Sequence, residues 1–473
     1  MTDGNKDRGT MTLAKRLEAL GTGIPELLLP AGGMDLEAWA VVACDQFTQD
    51  RGYWKQVEDR VGSAPSTLRM VLPEVFLEDG DRAERIAKIR SSMRSYLDSG
   101  VFSPPARGIA YIERSTPQQA LRRGLVLAID LERYRWEPSE RPLIRATEGT
   151  VQERIPPRME IRRGAPLESP HVLLLVDDDE RRLIEGLGER AKARKPRYST
   201  KLMTGAGDIR AWLMDTEADF NFIANELERL ARKAALRYSD ANTETATTGT
   251  AAKDVNGTKG MGEDPFLYAV GDGNHSLATA KAVWDEYKLA HSGEKDIMDH
   301  PARWALVEVE NIYDDGICFE PIHRVVFGTT ADEMLKALSA MKDFKASQVE
   351  NAEKLETLVA EATVAGTRYG LTCGTENILM ETTVTGLSTD ALQPILDAFL
   401  AASSKRSIDY LHGADETIRI GKTPGAVGIL LPPIGKSDLF STVARKGPLP
   451  RKSFSMGEAI EKRFYLECRA LFC

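Results

Sequence analysis

The sequence predicts a mixed α/β fold, and three observations carry that prediction. Phe266 to Val270 is a short apolar run, aromatic and β-branched enough to be a strand. Gly271-Asp272-Gly273 breaks it, and Leu277, Ala280, Trp284 and Tyr287 then recur at helical spacing. Strand-like runs such as Val172 to Val176 and Trp304 to Val309 alternate with charged amphipathic stretches at 81–99 and 220–238. Apolar content is 42% and no apolar stretch reaches the length of a membrane span, as in an ordinary globular protein. A chain of 473 residues can bury one very large core or two or three normal ones. The expectation is an N-terminal tail at 1–20 and a single large α/β unit at 21–473.

Taken in order, a short helix follows the tail near Arg16. Trp39 to Ala43 is a strand candidate ending at Cys44-Asp45-Gln46, and 49–61 is a helix with Tyr53, Trp54 and Val57 on one face. Residues 68–72 read as a strand, 81–99 as a helix, and 108–114 and 123–131 as strands. A helix begun near Thr150 is expected to stop at Pro156-Pro157, since the residue before a proline avoids helical geometry. His171 heads the apolar strand 172–176, and Asp177-Asp178-Asp179 can cap the helix after it. Strands are expected at 304–309, 320–327 and 426–431, a hairpin at 369–381, and helices at 330–342, 354–362 and 387–401. Residues 239–264 have almost no apolar anchor and read as a mobile surface loop.

Charge and cysteine use narrow the functional classes. The net charge of -9 argues against general nucleic-acid binding. The N-terminus mixes acids with bases and lacks an apolar core segment, so no secretory signal is expected. Five scattered cysteines form no Cys-x-x-Cys pair, which fits a reducing cytoplasm better than a disulfide or zinc scaffold.

Two stretches carry chemistry. A strand, a Gly turn and a helix start, at Gly271, Asp272, Gly273, Asn274, His275 and Ser276, would aim unpaired amides at one spot where an anion can bind, with Asn274 or Ser276 as the cap. The third Gly of a dinucleotide fingerprint is missing, and so is the Gly-Lys-Ser/Thr ending of a P-loop. The second stretch, 140–176, crowds Arg145, Arg154, Arg158, Arg162 and Arg163 around Glu148, and guanidinium forks suit phosphate or carboxylate oxygens.

Four segments together are distinctive: ACDQFT (43–48), RATEGTVQERIPPR (145–158), GDGNHSLATAK (271–281) and LPRKSFSMGEAIEKR (449–463). With these, the chain closely resembles the domain of unknown function 1015 family, over nearly its whole length. The resemblance implies a ParB/sulfiredoxin-like core with large additional α/β elaborations. It also implies nucleotide binding at Gly273, Asn274, His275 and Ser276, with ATP or ADP, or CTP, as the cofactor. Relatives include kinases that phosphorylate free serine. They usually carry Arg after the His, where this chain has Ser276, so phosphate charge has to be met by Arg145, Arg154 or Lys452.

The leading expectation is therefore a phosphotransferase acting on a small hydroxylated metabolite. Asp272 or Asp45 would hold Mg²⁺, and Glu148, ahead of His275, would take the acceptor proton. A homodimer is the protein partner left open; no membrane is expected. The rivals are a nucleotide- or metabolite-binding regulatory protein without turnover, and a hydrolase using Asp272 and His275 on a metal.

Overall fold

The computed structural model describes residues 11–116, 121–137, 140–238, 264–361, 366–450 and 452–472. The chain forms two compact units: Met1–Ala146 with Thr150–Ile317 and Ala459–Cys473, and Thr147–Gly149 with Cys318–Glu458. Helices and sheets make up both, as the alternating sequence pattern predicts; the main sheet is mixed in the first unit and antiparallel among the described strands of the second. The expected mobile loop, apart from Asp264, lies outside the described residues, as does Arg451. Among the described residues no helix is long and apolar enough to cross a membrane.

The first unit is built on a ten-stranded sheet whose centre runs Ile109–Ser115, Arg122–Asp130, Trp304–Asn311, Val172–Val176, Tyr268–Asp272. Val172–Val176 runs parallel to Trp304–Asn311 and antiparallel to Tyr268–Asp272. Both faces of this centre are covered, which explains its nearly unbroken apolar runs. One face carries Tyr111, Leu127, Leu174 and Val270, and packs on Ile223 and Leu227 of the Glu217–Arg237 helix and Leu277 and Trp284 of the Asn274–Ala290 helix. The other carries Ala110, Ile112, Val126 and Leu306, under Trp39, Val57, Phe464 and Tyr465. Strands have a two-residue side-chain period, so neighbours such as Tyr111 and Ile112 feed opposite cores.

In the second unit a seven-stranded sheet runs Lys345–Gln348, Glu376–Thr382, Thr367–Cys373, Ala426–Leu430, Phe319–Phe327, Ser407–His412, with Phe454–Met456 as the seventh strand, also paired with Phe319–Phe327. Its Thr367–Cys373 and Glu376–Thr382 hairpin is the one that the sequence predicts.

Three local expectations need correction. Trp39 ends a short helix, Leu36–Trp39, and Val42 makes only an isolated bridge to Phe464, so 39–43 is extended chain docked on the C-terminal segment. Residues 67–69 form a 3-10 turn because Ser66 Oγ accepts from the Leu68 amide, where a strand at 68–72 is expected. The Ile155–Arg162 helix begins with Pro156-Pro157 in its first turn. Proline at a helix start gives up an amide that would lack a partner anyway, so these prolines open the helix and do not end it.

Candidate functional site

The site grows from the antiparallel pairing of Tyr268–Asp272 with Val172–Val176. A register shift between Val270 and Asp272 marks a bulge at Gly271, and Asp272 lies opposite Leu173. The next residue, Gly273, therefore comes against His171 and Val172. A Cβ at Gly273 would stand 3.3 Å from His171 Cδ2 and 3.3 Å from Val172 Cα. Gly273 has φ of 82° and is the residue from which the Asn274–Ala290 helix starts. Only glycine takes this left-handed geometry without cost. No side chain caps the helix; Asn274 and Ser276 are helical residues, so neither fills the capping role expected of them. A helix start without a capping side chain keeps its positive end available to an anion.

A cluster of charged groups surrounds this turn. Asp272 Oδ1 accepts the Gly273 amide at 3.0 Å, and Asp272 Oδ2 lies 3.2 Å from Lys462 Nζ. Asp45 Oδ1 accepts Gln46 Nε2 at 2.8 Å, and Asp45 Oδ2 pairs with His171 Nε2 at 3.1 Å. On its other side His171 Nδ1 is hydrogen-bonded to the Tyr465 hydroxyl, which also accepts the Cys44 amide at 3.0 Å. Burial raises the Asp45 carboxyl, but His171, Gln46 and Lys462 outweigh it and hold the group well below the usual carboxylate range. Burial also opposes charge on His171; Tyr465 and Asp45 overcome it and hold the imidazolium well above its ordinary value. Burial raises the Tyr465 phenol far above its usual range, so it stays protonated. Asp45, His171 and Tyr465 thus form a charged pair ending in a neutral hydroxyl.

This arrangement does not fit the expected metal role. Each of the four carboxylate oxygens of Asp272 and Asp45 already has a protein partner. Among the described residues no three His, Cys, Asp or Glu side chains gather as a metal would need.

The other expected residues scatter. His275 Nε2 accepts the Val151 amide at 3.2 Å, which uses the lone pair of this nitrogen. Arg145 is buried, with its guanidinium 4.6 Å from the Phe266 ring centroid and Nε on the Pro142 carbonyl at 3.0 Å. Phe266 precedes the strand, so the guanidinium lies at the end away from the Gly273 turn. Arg154 is exposed beside the helix start at Ile155. The neighbouring arginines pair with acids: Arg158 with Glu74, Arg162 with Glu168 at 2.6 Å, Arg163 with Glu286 at 2.7 Å. Those pairs account for most of the cluster without a ligand. In the second unit, Glu148 is half-buried and bridges to Leu449, while Lys452 is exposed with φ of 59° and its carbonyl accepts Arg324 at 3.0 Å.

Lys462 is the residue that sequence reasoning passed over. It stands in the 449–463 segment, ten residues beyond Lys452, and nothing in a linear pattern separates the two lysines. His171 stands out in the sequence as the head of the 172–176 strand, with a structural and a functional role equally open, whereas Tyr465 looks like an ordinary member of an apolar run.

A family model described as a protein of unknown function, DUF1015, matches residues 28–398. No curated protein matches the chain. Among solved structures, the chain is similar to a free serine kinase in complex with AMP, at 11% identity and a TM-score of 0.34, covering 73% of this chain and 92% of that one. It is similar to a conserved hypothetical protein from Pyrococcus furiosus at 12% identity and 0.32, covering 72% and 93%. It is also similar to SbnI with C-terminal truncation from Staphylococcus aureus, at 9% identity and 0.33, covering 73% and 87%. Likeness at this level carries no argument about activity. The family match spans most of the sequence, from the extended chain before Asp45 through the Gly273 turn and on to 398: the chain belongs to the DUF1015 family.

Proposed function

We propose that this protein binds a nucleotide through its phosphates at the Gly273 turn and transfers a phosphoryl group to a small hydroxylated metabolite such as free serine. The supporting observation is the uncapped helix start at Gly273 beside the Lys462 ammonium, which Asp272 holds at 3.2 Å. Amides at a helix start and a fixed cation together form a phosphate site. In this reading Lys462 supplies the charge for which Arg145 was first considered. Gly271, Gly273, Asn274 and Ser276 shape the turn. Asp272 orients Lys462 and does not bind metal. Glu148 is proposed as the base for the acceptor hydroxyl, and Arg154 and Lys452 as further anion contacts. The ParB/sulfiredoxin-like core and a cytoplasmic location belong to the same proposal. No step is assigned to Mg²⁺.

The second reading, a nucleotide- or metabolite-binding regulatory protein, is favoured by one observation: every carboxylate oxygen of Asp272 and Asp45 has a protein partner, as in a site built to hold and not to react. The metal hydrolase is set aside, because Asp272 and His275 both have other partners. Melting curves with ATP, ADP and CTP, each with and without Mg²⁺, test the binding step. A nucleotide that binds only the native state raises the Tm, and no shift with any of the three overturns the proposal.

A further inference from the structure

Lys462 is nearly buried and follows a single 3-10 turn, Ala459–Glu461. A turn that short does not satisfy its own last carbonyls. Arg114, on the Ile109–Ser115 strand, satisfies them: its guanidinium donates to the carbonyls of Ile460 at 2.5 Å, Glu461 at 2.9 Å and Lys462 at 2.5 Å. It also lies 4.9 Å from the Phe464 ring centroid, so it grips the chain on both sides of Lys462. Two residues on, just past the end of the strand, Thr116 Oγ1 donates to Glu461 Oε1 at 2.8 Å.

This use of a buried arginine is uneconomical for stability alone. Arg114 is 3% exposed, and its direct partners are neutral carbonyls. Burial pulls its pKa down to about 9, Arg122 and Arg463 add to that, and Glu308 and Glu310 oppose it without forming an ion pair with it. An apolar residue would cover the same strand with less desolvation. What an apolar residue could not do is fix three successive carbonyls, and with them the direction in which the Lys462 side chain leaves the backbone.

Resting on the phosphate reading of the Gly273 turn, we infer that Arg114 is a positioning residue: it holds the 460–462 backbone so that the Lys462 ammonium is presented beside Asp272 to an anionic ligand. The alternative is that Arg114 merely staples the C-terminal segment to the sheet. Tyr198, whose hydroxyl donates to Glu467 Oε1 at 2.5 Å, staples the same segment further along and provides the control.

The test is the rate of reductive methylation of Lys462 in the full-length protein, followed by peptide mass spectrometry, in Arg114→Met, Arg114→Lys and Tyr198→Phe. Positioning predicts labelling about tenfold faster in Arg114→Met, an intermediate rate in Arg114→Lys, which can serve fewer carbonyls, and the native rate in Tyr198→Phe. Should Arg114→Met fail to fold, Arg114→Lys decides the question. Labelling no faster in either Arg114 variant than in Tyr198→Phe overturns the inference. This arm needs no nucleotide, so it stands apart from the proposed function. In ADP titration, Arg114→Met should weaken affinity by the same factor as Lys462→Met, with the double variant no worse; additive losses would contradict an action of Arg114 through Lys462.

Discussion

Lys462 Nζ lies 3.2 Å from Asp272 Oδ2, joining the C-terminal segment to the residue that precedes the Gly273 turn. The ammonium is nearly buried, so its charge is poorly screened and its position is fixed. Asp272 spends its other oxygen on the Gly273 amide, and one carboxylate thereby sets both the turn and the cation beside it.

Gly273→Ala should destabilise the protein by about 1–3 kcal/mol, read from chemical denaturation. The left-handed backbone costs any other residue about 1–2 kcal/mol, and a methyl would press on His171 and Val172 at 3.3 Å. A change below about 0.5 kcal/mol would mean that the turn relaxes freely, against the rigid site described above.

The Asp45–His171 pair makes stability depend on pH in both directions. The His171 pKa is raised, so its contribution is whole below the ordinary value of 6.5 and fades as pH climbs through the raised one. The Asp45 pKa is lowered, so its contribution is whole above 3.8 and fades as pH falls towards the depressed one. In His171→Gln, Tm against pH should therefore lose the alkaline limb and keep a weaker acid limb, because Gln46 and Lys462 still hold the Asp45 carboxyl down. A variant whose profile runs parallel to the native one would show that this pair is not the source of the pH dependence.

Arg145→Met should lower stability by about 1–3 kcal/mol through loss of the contact with Phe266 and the Pro142 bond, and leave nucleotide affinity within twofold. Titration calorimetry and denaturation on the same variant separate the two effects. A large loss of affinity at unchanged stability would restore the anion role first expected for this arginine.

Glu148→Gln should retain nucleotide binding and suppress phosphoryl transfer about a hundredfold or more, since the amide keeps the shape and loses the basic site. Transfer is followed with free serine and related hydroxy metabolites. Equal rates in native and variant protein would remove Glu148 from the reaction, and no transfer by the native protein would favour the regulatory reading.

The strand, Gly turn and helix at 266–290 were legible because three independent local signals agree there: an apolar run, two glycines around an aspartate, and apolar residues at helical spacing. The buried strand Val172–Val176 was legible for a similar reason, five apolar residues in a row. Residues 39–43 looked the same and are not a strand, because what decides the matter is their partner, Phe464, more than four hundred residues on. The arginine cluster misled for a related reason. A guanidinium reads the same in sequence whether it meets a phosphate or, like Arg162 and Arg163, a carboxylate brought by folding. Lys462, His171 and Tyr465 acquire their chemistry only through contacts distant in sequence, which no local pattern encodes.

The measurement that tests the central claim most directly is calorimetric titration of ADP into the native protein and into Lys462→Met, with denaturation of both. The account predicts saturable binding by the native protein and affinity weakened about tenfold to a hundredfold in Lys462→Met, at a stability within about 1 kcal/mol of native. Equal affinity in the two proteins would contradict it, because the Gly273 turn would then hold phosphate without the cation that Asp272 places beside it.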